Sequence, residues 1–315
     1  MNARAPRVSV LMTIYNAQPF LRESIDSLVS QSFDDWELVA LENGSTDGSS
    51  SVLAEYSDAR VRALPFARNI GRTAALRHAF AQARGEYIAV LDADDVALPE
   101  RLKLQTAFLD EHPQTAIVGS WVRYIDRQSR AFAEFRPPTG PEELRECLGW
   151  TNPIVHSSAM FRKQSAVAAG GYPADLVYAQ DFGLTIALAR RSGIAMIPEF
   201  LAHQRVSTSS MTASGAYRTN VASEELSIYQ RAASQLALSA HARRLNRRAQ
   251  AVAEIKLGVA TMRANAIFQG LRHVARGLAK DPSALWANGP MQRMFRADAA
   301  YLTRLPSAPS NAPAA

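Results

Sequence analysis

Asp92-Ala93-Asp94 sets two carboxylates at alternate positions directly after the apolar run Tyr87–Leu91. Carboxylates spaced in this way, on a loop leaving a strand, can reach one hard divalent cation. Mg²⁺ and Mn²⁺ take oxygen ligands and commonly complete their shell with water and substrate phosphates. A cation held there would neutralise charge that gathers on a departing diphosphate. An isolated DxD triplet is a weak sign, because solvated loops are rich in Asp. Its position at the end of an apolar run is what gives it weight. A second polar cluster, Glu42-Asn43-Gly44-Ser45-Thr46-Asp47, follows another such run, Trp36–Leu41.

Both clusters stand where a parallel sheet would hold a ligand, beyond the carboxyl ends of its strands. The pattern around them supports such a sheet. Val8–Thr13 reads as a buried strand. Gln18–Gln31 follows with Leu21, Ile25, Leu28 and Val29 on one helical face. Ser49–Ser57 is a short predicted helix and Val61–Leu64 a further strand. Arg72–Ala83 is helical, with Leu76, Ala79, Phe80 and Ala83 on one side and Gly85 as its stop. Alternating strands and helices predict an α/β fold, mostly parallel and covered on both faces. Pro99 opens a helix to about Glu111, and Ala116–Trp121 is another strand. Pro137–Pro141 reads as a rigid loop dividing the domain into two halves. Gly170-Gly171 closes a helix that begins near Gln164. Asp181 opens another, with Leu184, Ala187 and Leu188 inward and Gly193 as its stop. After about Ser214 strand signals cease and long helices dominate. This divides the chain into a catalytic domain at 1–214, a basic helical extension at 215–305 and a Pro/Ala/Ser-rich disordered tail at 306–315.

Taken in order, these motifs resemble the family 2 glycosyltransferases, which have the GT-A fold, over roughly residues 7–210. Val8-Ser9-Val10 through Tyr15-Asn16-Ala17 is similar to the family's opening strand and loop. Glu42 to Gly48 is similar to its acidic nucleotide loop, and Gly85-Glu86-Tyr87-Ile88 leading to Asp92-Ala93-Asp94-Asp95 to its metal site. His156 to Arg162 and Gly170-Gly171-Tyr172 resemble its acceptor-side half, and Gln180-Asp181-Phe182-Gly183-Leu184 the segment with its catalytic base. The resemblance implies an inverting transfer of sugar from a UDP- or dTDP-sugar to a hydroxyl of a glycan or lipid-linked glycan, with Mn²⁺ or Mg²⁺ as cofactor. Thr13 and Tyr15 would line the base and ribose pocket. Glu42 and Asn43 would sit near the nucleobase, where a carboxylate can accept from N3–H of uracil or thymine. Asn69 and Arg72 would approach the donor, Arg72 as a diphosphate partner. Asp92 would contact the ribose and Asp94 the metal, with Asp95 in support. Asp181 would be the general base; the competing reading is a helix N-cap. Three departures stand out. Glu42 replaces the family's usual Asp, Gln180 replaces a Glu, and Ser207 stands where many members have a His. His203 could take over that contact, though it reads first as a structural residue, as does His156. A nucleotidyltransferase and a non-catalytic sugar-nucleotide binder are the rival readings. Asp94, Asp181 and the lack of a lysine-rich loop after the first strand argue against them.

Charge is unevenly placed. From His241 onward there are 12 Lys/Arg against 3 Asp/Glu, a net of +9, whereas residues 1–240 carry 23 against 26, a net of −3. Ile267, Leu271, Val274 and Leu278 form an apolar stripe flanked by Arg263, Arg272, Arg276 and Lys280, with Trp286, Met291, Met294 and Phe295 beyond. Such a helix suits an anionic membrane surface or packing on the catalytic domain. Without a recognised nucleic-acid motif, the charge gives no reason to expect that partner. No run approaches the ~18 apolar residues of a membrane span. The polar stretch Asn2–Arg7 does not fit a secretory signal. A single cysteine, Cys147, excludes an internal disulfide framework and suits a reducing compartment. The expected location is cytoplasmic, peripheral to the inner face of a membrane.

Overall fold

The computed structural model of the chain describes residues 4–206, 219–284 and 302–304. The first part runs β1 (Val8–Ile14), α1 (Gln18–Val29), β2 (Trp36–Asn43), α2 (Ser49–Ala54), β3 (Val61–Phe66), α3 (Arg72–Gln82) and β4 (Tyr87–Val90). It continues with β5 (Val96–Ala97), α4 (Arg101–Glu111), β6 (Thr115–Ile125), β7 (Ala131–Phe135), α5 (Pro141–Cys147), β8 (Met160–Arg162), α6 (Lys163–Ala168), α7 (Gln180–Ala189) and β9 (Gly193–Arg205). The extension holds α8 (Thr219–Gln235), α9 (Ala240–Arg263), α10 (Ile267–Lys280) and β10 (Leu302–Arg304).

Every residue of β2 and β4 is buried, as is all of β1 except the half-buried Thr13. Strands hidden on both faces belong inside a covered sheet. β1 pairs in parallel with β2 and β4, and β2 with β3. The sheet order is β10-β7-β6-β8-β4-β1-β2-β3, with β9 beside β6 and β5. Alternation along each strand feeds two cores. Val10, Met12, Leu38 and Ala40 meet Leu21, Ile25 and Leu28 of α1 and Leu102 of α4. Leu11, Val39, Leu41 and Val90 meet Leu76 of α3, while Leu184 and Leu188 of α7 and Ile228 of α8 join the same core further along. The extension is thus continuous with the core of the α/β part. The elements expected from the sequence are found, with β2, β3 and β6 longer than their apolar runs.

Four local expectations are corrected. α3 ends because Ala83 turns extended (φ −66°, ψ 138°). Gly85 serves a different need: a Cβ there would lie 2.5 Å from Ser9 N on the neighbouring strand. The loop at Pro137–Pro141 does not divide the sheet, because β8, which follows it, inserts between β4 and β6. Gly193 opens β9 rather than only ending α7. Strand pairing also reappears late, since β10 runs antiparallel to β7.

The C-terminal stripe has a split role. α9 and α10 form a hairpin that turns at Asn265 (φ 65°). Their backbones approach closely at glycines: a Cβ on Gly270 would lie 2.6 Å from Gly258 O, and one on Gly277 2.7 Å from Ala251 O. Leu278 packs on Ala251 and Ile255 of α9. Buried Glu254 sits between the two helices, 2.7 Å from His273 Nδ1 and 3.2 Å from Lys280 Nζ. Ile267, Phe268 and Leu271 stay 58%, 84% and 51% exposed. Ser207, Trp286, Met291, Met294, Phe295 and the tail from 306 lie outside the described residues.

Candidate active site

The carboxyl ends of β1, β2, β3 and β4 carry the loops that the sequence singled out. Glu42 and Asn43 are the last two residues of β2, and both are buried. The Glu42 carboxylate accepts from the N–H of Ser45 (2.7 Å) and of Gly44 (3.3 Å), the latter at φ 71°. It therefore folds its own turn, a use that the sequence reading did not foresee. Asn43 Nδ2 donates to Asn69 Oδ1 (3.1 Å), and Asn43 Oδ1 accepts from the Ile70 N–H (2.9 Å). Two predicted nucleotide-side residues are thereby joined across β2 and β3. Asn16 adopts φ 51° and accepts from the Thr46 N–H (2.9 Å), tying the loop after β1 to the loop after β2. Thr13 is half-buried and Tyr15 is 48% exposed beside this junction.

The acidic residues after β4 have separate fates. Arg72, at the first position of α3, brings Nη2 to 2.8 and 2.7 Å from the two carboxylate oxygens of Asp92. His156 lies behind them, with Nδ1 3.4 Å from Arg72 Nη2 and 3.8 Å from Asp92 Oδ1. Its Nε2 is 3.0 Å from the Tyr172 hydroxyl. Burial by itself would raise the Asp92 carboxyl, but Arg72 and His156 outweigh it and hold the group well below the usual carboxylate range. Asp94 has the opposite environment. Burial, and next the negative charge of Asp92, push it up to about 6. Asp95 is almost wholly enclosed. It accepts from the Arg205 N–H (2.7 Å) and bonds the Ser157 hydroxyl, and burial raises it well above the carboxylate range. The structure thus gives Asp95 a scaffold position, not one facing the cleft. Arg205, itself buried, secures the same loop by donating from Nε to Asp94 O (2.9 Å) and from Nη2 to Glu23 (2.6 Å).

Asp181 lies in the first turn of α7, but the helix cap is Ala179 and no side chain caps it. The N-cap reading of Asp181 is therefore set aside. Its Oδ2 accepts from Asn152 Nδ2 (3.2 Å). Asp92, Asp181 and Asp94 all act electrostatically on Arg72, so the loops after β3 and β4 and the start of α7 converge on one guanidinium. With its amide oriented to satisfy both ends, Gln180 donates to Val177 O (2.9 Å) and accepts from Arg72 Nε (3.2 Å). Ser157 and Tyr172, which the resemblance puts in the acceptor-side half without a role of their own, belong to this cluster, as do Asn152 and Arg205, to which the sequence gives none. His156 was assigned to structure, and it does touch the cluster. His203, on β9, is mostly buried; burial and then Arg123 lower its pKa, and its Nε2 has no partner among the described residues. Trp150 packs on the core and meets the His241 ring at 6.5 Å.

No group of three or more His, Cys, Asp or Glu among the described residues is arranged to enclose a metal. The donor set fits a shared site instead. Asp94 offers a hard oxygen whose ionisation is opposed by Asp92, a cost that a divalent cation would relieve. Mg²⁺-type sites need only one or two protein carboxylates when a diphosphate supplies the rest.

Comparison with known proteins bears on the family and the fold. A family model described as "Glycosyl transferase family 2" matches residues 9–170. An uncharacterized glycosyltransferase of Methanocaldococcus jannaschii is 33% identical over 207 residues, 64% of this chain and 71% of that protein. Among solved structures, Staphylococcus aureus TarS 1–349 in complex with UDP-GlcNAc superposes with TM-score 0.63 at 17% identity, covering 88% of this chain and 81% of that one. The mannosyltransferase PcManGT of Pyrobaculum calidifontis, in complex with GDP-Man and Mn²⁺, gives 0.61 at 21% identity over 95% and 87%. The fold is accordingly that of the GT-A transferases, with C-terminal helices added.

Proposed function

The chain belongs to glycosyl transferase family 2, and on that premise we propose that it moves a sugar from a UDP- or dTDP-sugar to a hydroxyl of a glycan or lipid-linked glycan, with inversion. The observation that carries this reading is that Arg72 joins the two acidic segments: its Nη2 is held by Asp92, two residues before Asp94, and its Nε faces Gln180, the neighbour of Asp181. In an inverting transfer the acceptor oxygen bonds the anomeric carbon as the bond from that carbon to the diphosphate breaks. Asp181 takes the acceptor proton, for which it has a carboxylate held by only a weak bond from Asn152. Arg72 faces the departing diphosphate, and Asp92 fixes its guanidinium in place. Asp94 would hold Mn²⁺ or Mg²⁺, which when bound supplies charge neutralisation at the diphosphate. Each Glu42 oxygen keeps a lone pair beyond the loop amides it serves, so the carboxylate can still accept from a pyrimidine N3–H. Thr13, Tyr15, Asn43 and Asn69 would line the base and ribose pocket with it.

We place the enzyme on the cytoplasmic face of a membrane. No described helix is long and apolar enough to cross one. The basic extension and the exposed Ile267, Phe268 and Leu271 support surface docking.

Thermal stabilisation by UDP, dTDP and GDP at equal concentration with Mn²⁺, together with donor turnover with and without chelator, tests the reading. A ligand at 100 times its Kd stabilises by about 2.7 kcal/mol, so a nucleobase preference is easily measured. UDP or dTDP should stabilise most, and chelator should stop turnover. Preference for GDP would overturn the pocket, full activity in chelator would remove the metal, and nucleotide binding without any sugar transfer would favour a non-catalytic binder.

A further inference from the structure

The family match ends at residue 170, so the helix that begins with Gln180-Asp181 lies outside it. α7 lacks a side-chain cap of its own. The amides leading into a helix need acceptors from somewhere. They come from the extension. Glu224, on α8, accepts from the N–H of Val177 at Oε1 (2.8 Å) and from those of Tyr178 (2.7 Å) and Ala179 (3.1 Å) at Oε2. One carboxylate therefore takes three consecutive amides, and the last belongs to the cap residue of α7. Hydrogen bonds to an ionised acceptor are the strong kind. Arg231, two turns further along α8, pairs with Asp175 on the same loop. Asp175 is largely exposed, and such surface pairs hold a loop weakly. On its other side the loop is tied to α3: Thr73 Oγ1 donates to Leu176 O (2.6 Å), and Gln180 reaches both Val177 O and Arg72 Nε.

We infer that Glu224 is a positioning residue for the reaction, acting through the 177–180 loop to set Asp181 and, by way of Gln180, Arg72. The extension then completes the active site rather than only adding charge to it. The inference rests on Asp181 being the base, and the experiment separates the two ideas. The geometry requires a carboxylate. Glu224→Gln keeps one accepting oxygen and turns an amide NH₂ toward backbone donors. Glu224→Ala leaves three consecutive amides without this acceptor, and those of Tyr178 and Ala179 are half-buried.

The full-length protein is compared as wild type, Glu224→Ala, Glu224→Gln and Asp181→Asn. Readouts are kcat at saturating donor, Kd for the donor nucleotide with Mn²⁺, thermal midpoint, and amide exchange resolved by peptide. For Glu224→Ala we expect kcat to fall by about tenfold to a hundredfold, the scale of a misplaced reacting group. Donor Kd should change by less than about twofold, and faster exchange should be confined to peptides spanning 174–182. Glu224→Gln should lie between Ala and wild type in both kcat and exchange. Unchanged kcat and exchange in both variants would overturn the role. So would a general loss of protection with kcat and donor affinity falling together, because that is what a purely structural contact would give. Normal turnover by Asp181→Asn would remove the base assignment, and the exchange pattern would then decide by itself whether Glu224 sets this loop.

Discussion

Asp181→Asn exchanges one oxygen for an amide nitrogen in the first turn of α7, and it should cost the rate more than it costs folding. A negative charge near a helix N-terminus contributes roughly 0.3–1 kcal/mol, which the amide forfeits. The Asn152 contact is long, at 3.2 Å, and an amide oxygen can still accept it, so about 0.5–1 kcal/mol is at stake there. The Thr185 hydroxyl bonds the Asp181 backbone carbonyl and is untouched. Folding should therefore weaken by about 1–2 kcal/mol, a fall of a few degrees in thermal midpoint for a chain of this size. A general base contributes about 10²–10⁴ in rate, or roughly 3–5 kcal/mol of barrier. Initial rates at saturating donor and metal, with donor Kd measured by calorimetry, read the two effects separately. The expected variant is folded, binds donor as wild type does, and scarcely transfers. A kcat within about threefold of wild type would refute the base role, since the amide of Asn cannot take the acceptor proton.

Two further outcomes follow from the surrounding structure. Glu37 is 2% exposed; burial opposes its ionisation, yet bonds from Arg84 and Ser9 outweigh this and lower its pKa. Its stabilisation is thus complete above the unfolded value of about 4.3 and is lost as pH falls through the lower folded value, so Glu37→Gln should reduce the thermal midpoint clearly at pH 7 and progressively less in acid. An equal deficit at pH 7 and in strong acid would contradict this. The exposed Ile267, Phe268 and Leu271 predict co-sedimentation with anionic but not neutral vesicles at low salt, weakened by added salt and by Phe268→Ser with Leu271→Ser; a wild-type protein that stays in solution with anionic vesicles would refute docking.

Much of the fold was legible because its signals are local. Buried strands appear as apolar runs, and α1 as a one-sided stripe. What failed were readings that assigned a residue one purpose when tertiary contact imposed another. Gly85 stands in a sequence position that suits a helix stop, but the close passage of β1 is what excludes a side chain there. The stripe from Ile267 to Leu278 is regular in sequence, yet α9 covers only part of it. A three-residue strand such as β10 is too short to carry any period, and its pairing with β7 joins positions about 170 residues apart.

The site was legible to the same depth. Each acidic cluster is recognisable because it follows an apolar run, but partners and direction are not local properties. Asp94 and Asp95 are adjacent letters, and only the loop geometry turns Asp95 inward onto an amide 110 residues away. His156 reads as a lone histidine until Arg72, 84 residues earlier, and Tyr172, 16 later, are brought to its two ring nitrogens. Arg72 gains its meaning in the same way. Its Nη2 is held by Asp92, while Nε faces Gln180 from the helix that carries Asp181. The guanidinium proposed to face the diphosphate thus rests on the loop after β4 and on the start of α7 together. A change that moves either loop should disturb leaving-group stabilisation and proton transfer at once, because both depend on the placement of this one side chain.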